Sequence, residues 1–164
     1  MAILIMKAER EDVLELQRLI KALADFEKLD PPTPDAQARF LEDGWPLEGK
    51  EPKFTAWLAE VQGSDEKSNE YAGYAITFFT YSSFLARPTL YLEDIFILPA
   101  YRKQGIGTML MERLIRVAKE EGCGRIEWVV LDWNVDAQEF YHKFGAVRQT
   151  EWLPYRLTFD EDQT

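Results

Sequence analysis

One cysteine and one histidine in 164 residues exclude several kinds of chemistry. Cys123 alone rules out an internal disulfide framework and is compatible with a reducing compartment. With His142 the only imidazole, the chain lacks the ligand set of a zinc site. No apolar run reaches 18 residues, so no membrane-spanning helix is expected. The N-terminal Ile3-Leu4-Ile5-Met6 is strand-like and lacks the basic region and cleavage site of a secretory signal, which makes the cytoplasm the expected location. Positive charge is scarce too: 19 Lys and Arg stand against 29 Asp and Glu, a net charge of −10. Nucleic acid phosphates would be repelled, and a small cation suits that field better. The same acidity also serves plain solubility.

The sequence is rich in aromatics, with five Trp, seven Tyr and ten Phe. Its length suits one domain, spanning residues 1–164, with a substantial core. In chain order, Ile3 to Met6 reads as a strand. Glu9 to Leu23 reads as a helix, with apolar Val13, Leu16, Leu19, Ile20 and Leu23 on one face. Asp30-Pro31-Pro32 interrupts. Thr33-Pro34 looks like an N-cap followed by a first-turn proline, and Gly44 closes a second helix. Phe54 to Val61, Tyr71 to Tyr81 and Thr89 to Ile97 are β-rich runs, and Thr108 to Glu121 is an amphipathic helix. Arg125 to Leu131 reads as a strand, and Asn134 to about Phe144 as a helix ended by Gly145. Ala146 to Thr150 and Tyr155 to Phe159 read as two last strands. The expected class is α/β, in the order β-α-α-β-β-β-α-β-α-β-β: a mixed sheet with helices on both faces.

The most informative stretch is Tyr91 to Gly107, YLEDIFILPAYRKQGIG. A strand carrying Glu93 and Asp94 runs into a basic, glycine-containing turn, and a helix follows. Backbone N–H groups and the positive helix end would converge there on an anion. Gly105 and Gly107 let backbone approach a ligand closely, although an ordinary tight turn has the same look. The spacing fits neither a dinucleotide fingerprint nor a Walker A loop. On a regular strand Glu93 and Asp94 face opposite sides; a bulge would bring both to one cleft. Either acid could otherwise serve in a structural ion pair.

Arg102-Lys103-Gln104-Gly105-Ile106-Gly107 resembles the R/Q-x-x-G-x-G/A motif of the GCN5-related N-acetyltransferases, and the derived element order, with a mostly antiparallel sheet, is similar to theirs. Phe79-Thr80-Tyr81, Tyr91-Leu92-Glu93-Asp94, Leu131-Asp132-Trp133-Asn134 and Phe140-Tyr141 resemble the diamine and polyamine subgroup of the spermidine/spermine or thialysine type. The resemblance implies acetyl-CoA as co-substrate, held by Phe96 and Ile97 along the strand, by the turn from Arg102 to Gly107 with Thr108 after it, and by Asn134 and Tyr141. It implies Glu93 as the base that helps deprotonate the amine, through a water, and Tyr141 as the acid that protonates the departing thiolate. Tyr141 alone would read as an inward aromatic beside Ala137, Phe140 and Phe144, and Asn134 alone as a helix cap.

For the amine, the resemblance points to Glu27, Ser82, Phe84, Glu93, Asp94, Trp133 and Tyr155; aromatic and acidic side chains together suit an alkylammonium. Ser82-Ser83-Phe84 departs from the polyamine-specific pattern of an acid followed two residues later by tryptophan, which favours a shorter diamine or a lysine-like amine. Phe84 and Tyr155 read equally well as packing aromatics. The resemblance also implies a homodimer. Acetylation of a protein or peptide, and a non-catalytic acetyl-CoA-binding module, are the alternatives.

Overall fold

The computed structural model describes residues 2–65 and 68–159. These fall into two compact units, Met1–Trp128 and Val129–Thr164. In the first, strand β1 (Ala2–Lys7) leads through a short 3-10 turn (Arg10–Asp12) into helix α1 (Val13–Glu27). Helix α2 (Pro34–Gly44) follows, then β2 (Thr55–Gln62), β3 (Glu70–Ser82), β4 (Arg87–Ile97), α3 (Ile106–Glu120) and β5 (Arg125–Glu127). The second unit holds α4 (Val135–His142).

The strands pair in sequence order, β1-β2-β3-β4-β5. Every pair is antiparallel except β4–β5. β2 is buried on both faces from Ala56 to Val61, and its alternation sorts the core. Ala56 and Leu58 pack with Tyr74, Ile76 and Phe96 and with Leu16 and Leu19 of α1. Trp57 points the other way, where Arg113 of α3 lies over its ring at 5.7 Å. α3 buries Ile106, Leu110, Met111, Leu114 and Ala118. Helices therefore cover both faces, as the apolar periodicity indicated.

Local signals act as expected at several ends. Thr33 Oγ1 accepts from the Ala36 N–H at 3.2 Å, with Pro34 in the first turn of α2. Glu9 and Asp12, a pair the sequence reading did not name, cap the 3-10 turn before α1 reciprocally. Two expectations are corrected. β5 ends at Glu127, not near Leu131. Residues 146–159 form neither of the two last strands, and Tyr155, Leu157 and Phe159 are exposed. A strand persists only where a ladder satisfies its backbone, and among the described residues of the second unit these β-prone residues have no ladder. The acidic tail from Asp160 onward lies outside the described residues.

Candidate active site

Two features of β4 define the site. The first is a register shift against β3. Ile76 pairs with Asp94 and Thr77 with Leu92, leaving Glu93 as the extra residue of a β-bulge. A bulge breaks strict alternation, and both Glu93 and Asp94 reach one cavity of about 940 Å³ between α1, α2 and the sheet. Its walls include Ile20, Phe40, Phe54, Ile76 and Phe78.

Asp94 is the more constrained acid. The buried Tyr74 on β3 donates its hydroxyl to Asp94 Oδ2 at 3.0 Å. Burial pushes the Asp94 carboxyl up to about 6; the Tyr74 hydrogen bond works against that rise, while Glu93 and Glu27 add to it. Tyr74 is itself held above the usual phenol range, by burial and then by the Asp94 charge. Burial also raises Glu27, which ends α1 close enough to act on both Tyr74 and Asp94. The structure thus brings Glu27, Glu93 and Asp94 together. Tyr74 is a member the sequence analysis missed. Its signal was a phenol on the inward face of a fully buried strand, where a hydroxyl needs a partner.

The second feature is the far end of β4. β5 pairs with it only from Thr89 to Tyr91, so the parallel ladder stops just before the bulge. Past that point, the edge that faced β5 carries Phe96 and Ile97 without a β5 partner, while Gly73 pairs with Ile97 on the β3 side. Any Cβ on Gly73 would collide with the Phe96 carbonyl oxygen, so β3 and β4 approach closely there. After a 3-10 turn at Pro99–Tyr101, Lys103 (φ 61°) and Gly105 (φ 81°) take left-handed conformations and aim the chain into α3. Gly105 is the N-cap and has no side chain to cap with. The first intrahelical bond runs from the Met109 N–H to the Gly105 carbonyl at 3.0 Å. The N–H groups of Gly105, Ile106, Gly107 and Thr108 are the free donors of a helix start, and Lys103 and Gln104 lie exposed beside them. These residues fit a pyrophosphate-bearing group.

Arg102 makes contacts of its own within the first unit. Its Nε donates to the Ile97 carbonyl at 2.8 Å, and its guanidinium lies 5.1 Å from the Phe26 ring and 5.3 Å from the Phe96 ring.

Ser82 and Phe84 are not at the cavity. Ser82 pairs with Arg87 six residues along β3 from Ile76, about 20 Å away at about 3.3 Å per residue. Ser82 is buried and its Oγ accepts from the Leu85 N–H at 3.1 Å, which fixes the hairpin turn. Phe84 is 97% exposed at the hairpin tip. In the second unit, Asn134 caps α4, its Oδ1 accepting from the Ala137 N–H at 3.2 Å. Tyr141 is buried, with its ring 5.5 Å from that of Phe140. Trp133 is half exposed and Tyr155 is 94% exposed. Among the described residues, no cluster of His, Cys, Asp and Glu could hold a metal ion, and no helix is long and apolar enough to cross a membrane.

Comparison with known proteins gives these features a family. The pattern of the acetyltransferase (GNAT) family matches residues 17–146. Thialysine N-epsilon-acetyltransferase of Mus musculus is 35% identical over 158 residues, covering 93% of this chain and 91% of that protein. L-ornithine N5-acetyltransferase of Arabidopsis thaliana is 45% identical over 89 residues, 54% of this chain and 39% of that one. Among solved structures, a probable acetyltransferase superposes with a TM-score of 0.78 at 20% identity, over 97% of this chain and 99% of that one. AAC(6')-Iy, in complex with the bisubstrate analog CoA-S-monomethyl-acetylneamine, superposes with a TM-score of 0.75 at 19% identity, over 97% of this chain and 100% of that one. The bulged strand, the glycine turn and the helix after it are thus features of an acyltransferase, and the chain belongs to the GNAT family of acetyltransferases.

Proposed function

We propose that the enzyme transfers acetyl from acetyl-CoA directly to a primary amine of a small cationic substrate, a diamine, polyamine or thialysine-like amino acid. The observation that carries this reading is the bulge: it turns both Glu93 and Asp94 into one cavity, on the strand that ends at the glycine turn. The relatives that act on thialysine and ornithine support the same substrate class.

When bound, acetyl-CoA supplies an acyl group activated as a thioester. The N–H groups from Gly105 to Thr108, with Lys103 and Gln104 beside them, would hold its phosphates, and the strand backbone near Phe96 and Ile97, beyond the β5 ladder, would hold its arm. Alkyl ammonium groups titrate near about 10.4, so the attacking nitrogen must be stripped of a proton. Glu93 takes that proton, directly or through a water, and Asp94 anchors the ammonium that arrives. Asp94 can do so at neutral pH, since a carboxyl titrating near 6 is mostly ionised there. Tyr141 returns a proton to the sulfur left behind, and Asn134 contacts the arm. Glu27 and Trp133 add charge and aromatic surface for the amine.

Ser82 and Phe84 take part in substrate recognition only if they complete a partner's site, which agrees with an expected homodimer, and Tyr155 adds aromatic surface for the amine. The proposed location is the cytoplasm. A panel of amines assayed for CoA release tests the reading. Release with small amines supports it, release only with peptides favours a protein acetyltransferase, and calorimetric acetyl-CoA binding without release leaves a binding module. Within the enzyme reading, Tyr141→Phe lowers kcat and leaves acetyl-CoA affinity nearly intact; unchanged turnover removes Tyr141 from the mechanism.

A further inference from the structure

The cavity at the bulge carries a charge arrangement that the transfer chemistry does not require. Its acids, Glu93 and Asp94, sit together at one place. Its walls are apolar, from Leu14 and Ile20 on α1 through Phe40 and Phe54 to Ile76 and Phe78. The remaining charged residues that line it are Arg18, Lys21 and Lys53, all cations on a chain of net charge −10. Their acidic partners lie outside the lining. Arg18 pairs with Glu15 at 2.9 Å, Lys21 with Asp25 at 2.9 Å and Lys53 with Asp43 at 2.8 Å. All three cationic side chains are more than half exposed, so these pairs are weak and their heads can turn to another anion.

We propose that this cavity accepts amines that are cationic at the reacting end and carry no net positive charge at the other, with Arg18, Lys21 and Lys53 rejecting a second ammonium. The inference rests on the amine transfer proposed above and narrows it. Glu93 and Asp94 satisfy one ammonium. The far ammonium of a diamine or polyamine would be stripped of water against apolar walls or brought up to three like charges. A far carboxylate, alone or in a zwitterion, is balanced by those cations, and a neutral ring packs on Phe40, Phe54 and Phe78. The volume of about 940 Å³ leaves room for such a body beyond the ammonium. Diamines and polyamines leave the list of substrates, lysine-like amines stay, and arylalkylamines join it.

Three amines of similar length separate the cases: 1,5-diaminopentane, 5-aminopentanoate and 2-phenylethylamine. Each is measured by initial-rate CoA release and by calorimetric titration into the full chain. The expected kcat/KM for 5-aminopentanoate and 2-phenylethylamine exceeds that for 1,5-diaminopentane by about tenfold or more. In the Lys21→Glu/Lys53→Glu double variant the advantage of 5-aminopentanoate shrinks toward one or reverses, with the circular dichroism spectrum retained. A wild-type preference for the diamine, or a ratio the charge reversal does not move, overturns the proposal. If no amine releases CoA, the transfer reading fails on its own and the calorimetric ranking decides: the same order upholds the charge selection, and an equal or diamine-first order overturns it.

Discussion

The bulged part of β4 and the turn that follows it belong to one continuous stretch, Tyr91 to Gly107, yet they are built on opposite principles. At the bulge, side chains carry the proposed chemistry. Glu93 and Asp94 face a common cavity, a buried phenol holds one of them, and burial shifts the Asp94 proton equilibrium to about 6. At the turn, the backbone carries it. Gly105 contributes conformation, and the donors are peptide N–H groups that no pH near neutrality can titrate. A site made of side chains is tuned by its surroundings and is sensitive to pH. A site made of backbone is tuned by shape alone.

The largest expected effect lies at the bulge. Glu93→Gln removes the proposed base, and kcat falls about 100-fold or more. Asp94→Asn removes an anchor and raises the amine KM about tenfold or more. Acetyl-CoA affinity, followed by calorimetry, stays within about twofold in both variants, because neither side chain belongs to the turn. A parallel loss of acetyl-CoA binding would show that the two regions are not separable. Next comes the turn. Gly105→Val forces a branched side chain onto a φ of 81°, which costs about 1–2 kcal/mol locally and displaces the N–H groups. The acetyl-CoA KM rises about tenfold, while the pH profile for the amine keeps its shape.

Much of this stretch was legible from residues alone. A strand, a glycine pair and an amphipathic run announce strand, turn and helix, and two adjacent acids in an apolar strand call for a bulge if both are to be used. Other parts were not legible, for physical reasons. Tyr155 to Phe159 has strand composition, but pairing requires a neighbour, and these residues find none among the described residues of their own unit. Residue type at Ser82 says nothing of distance: register decides it, and the register puts Ser82 about 20 Å along β3 from Ile76. Lys53 is far in sequence from Arg18 and Lys21 of α1, and the three line one cavity only after α1 docks on the sheet.

The pH dependence sharpens the contrast between the two regions and has a sign in each observable. Asp94 rises from 3.8 in an open chain to about 6 in the fold. The folded protein therefore holds that proton more tightly between about pH 4 and pH 6. Its contribution favours the fold below 3.8 and is lost as pH rises through 6. Asp94→Asn deletes this cost, so the variant melts a few degrees above wild type at pH 7.5 and at about the same temperature at pH 4. Activity runs the other way: the ionised anchor is lost below about pH 6, and wild-type kcat/KM for the amine falls on that limb. The groups around Asp94 that could shift the limb are Tyr74 on β3, Glu93 on β4, Glu27 on α1, and the cavity cations Arg18, Lys21 and Lys53. An acetyl-CoA binding curve flat across the same pH range would separate turn from bulge.

Tyr74→Phe gives the smallest effect and the finest test. The ring still fills its buried place, so the loss is one hydroxyl and the hydrogen bond it donates to Asp94, about 1 kcal/mol of stability. That bond favours the ionised form of Asp94 and opposes the rise caused by burial. Without it the carboxyl climbs further, and the acidic limb of kcat/KM moves up by about half a pH unit to one unit. At pH 8.5, where Asp94 is ionised with or without the phenol, the rate stays within about twofold of wild type. A residue that only packed the core would lower activity evenly at every pH. A displaced limb with an unchanged plateau therefore identifies Tyr74 as the group that positions Asp94, and an even loss across the profile rejects it.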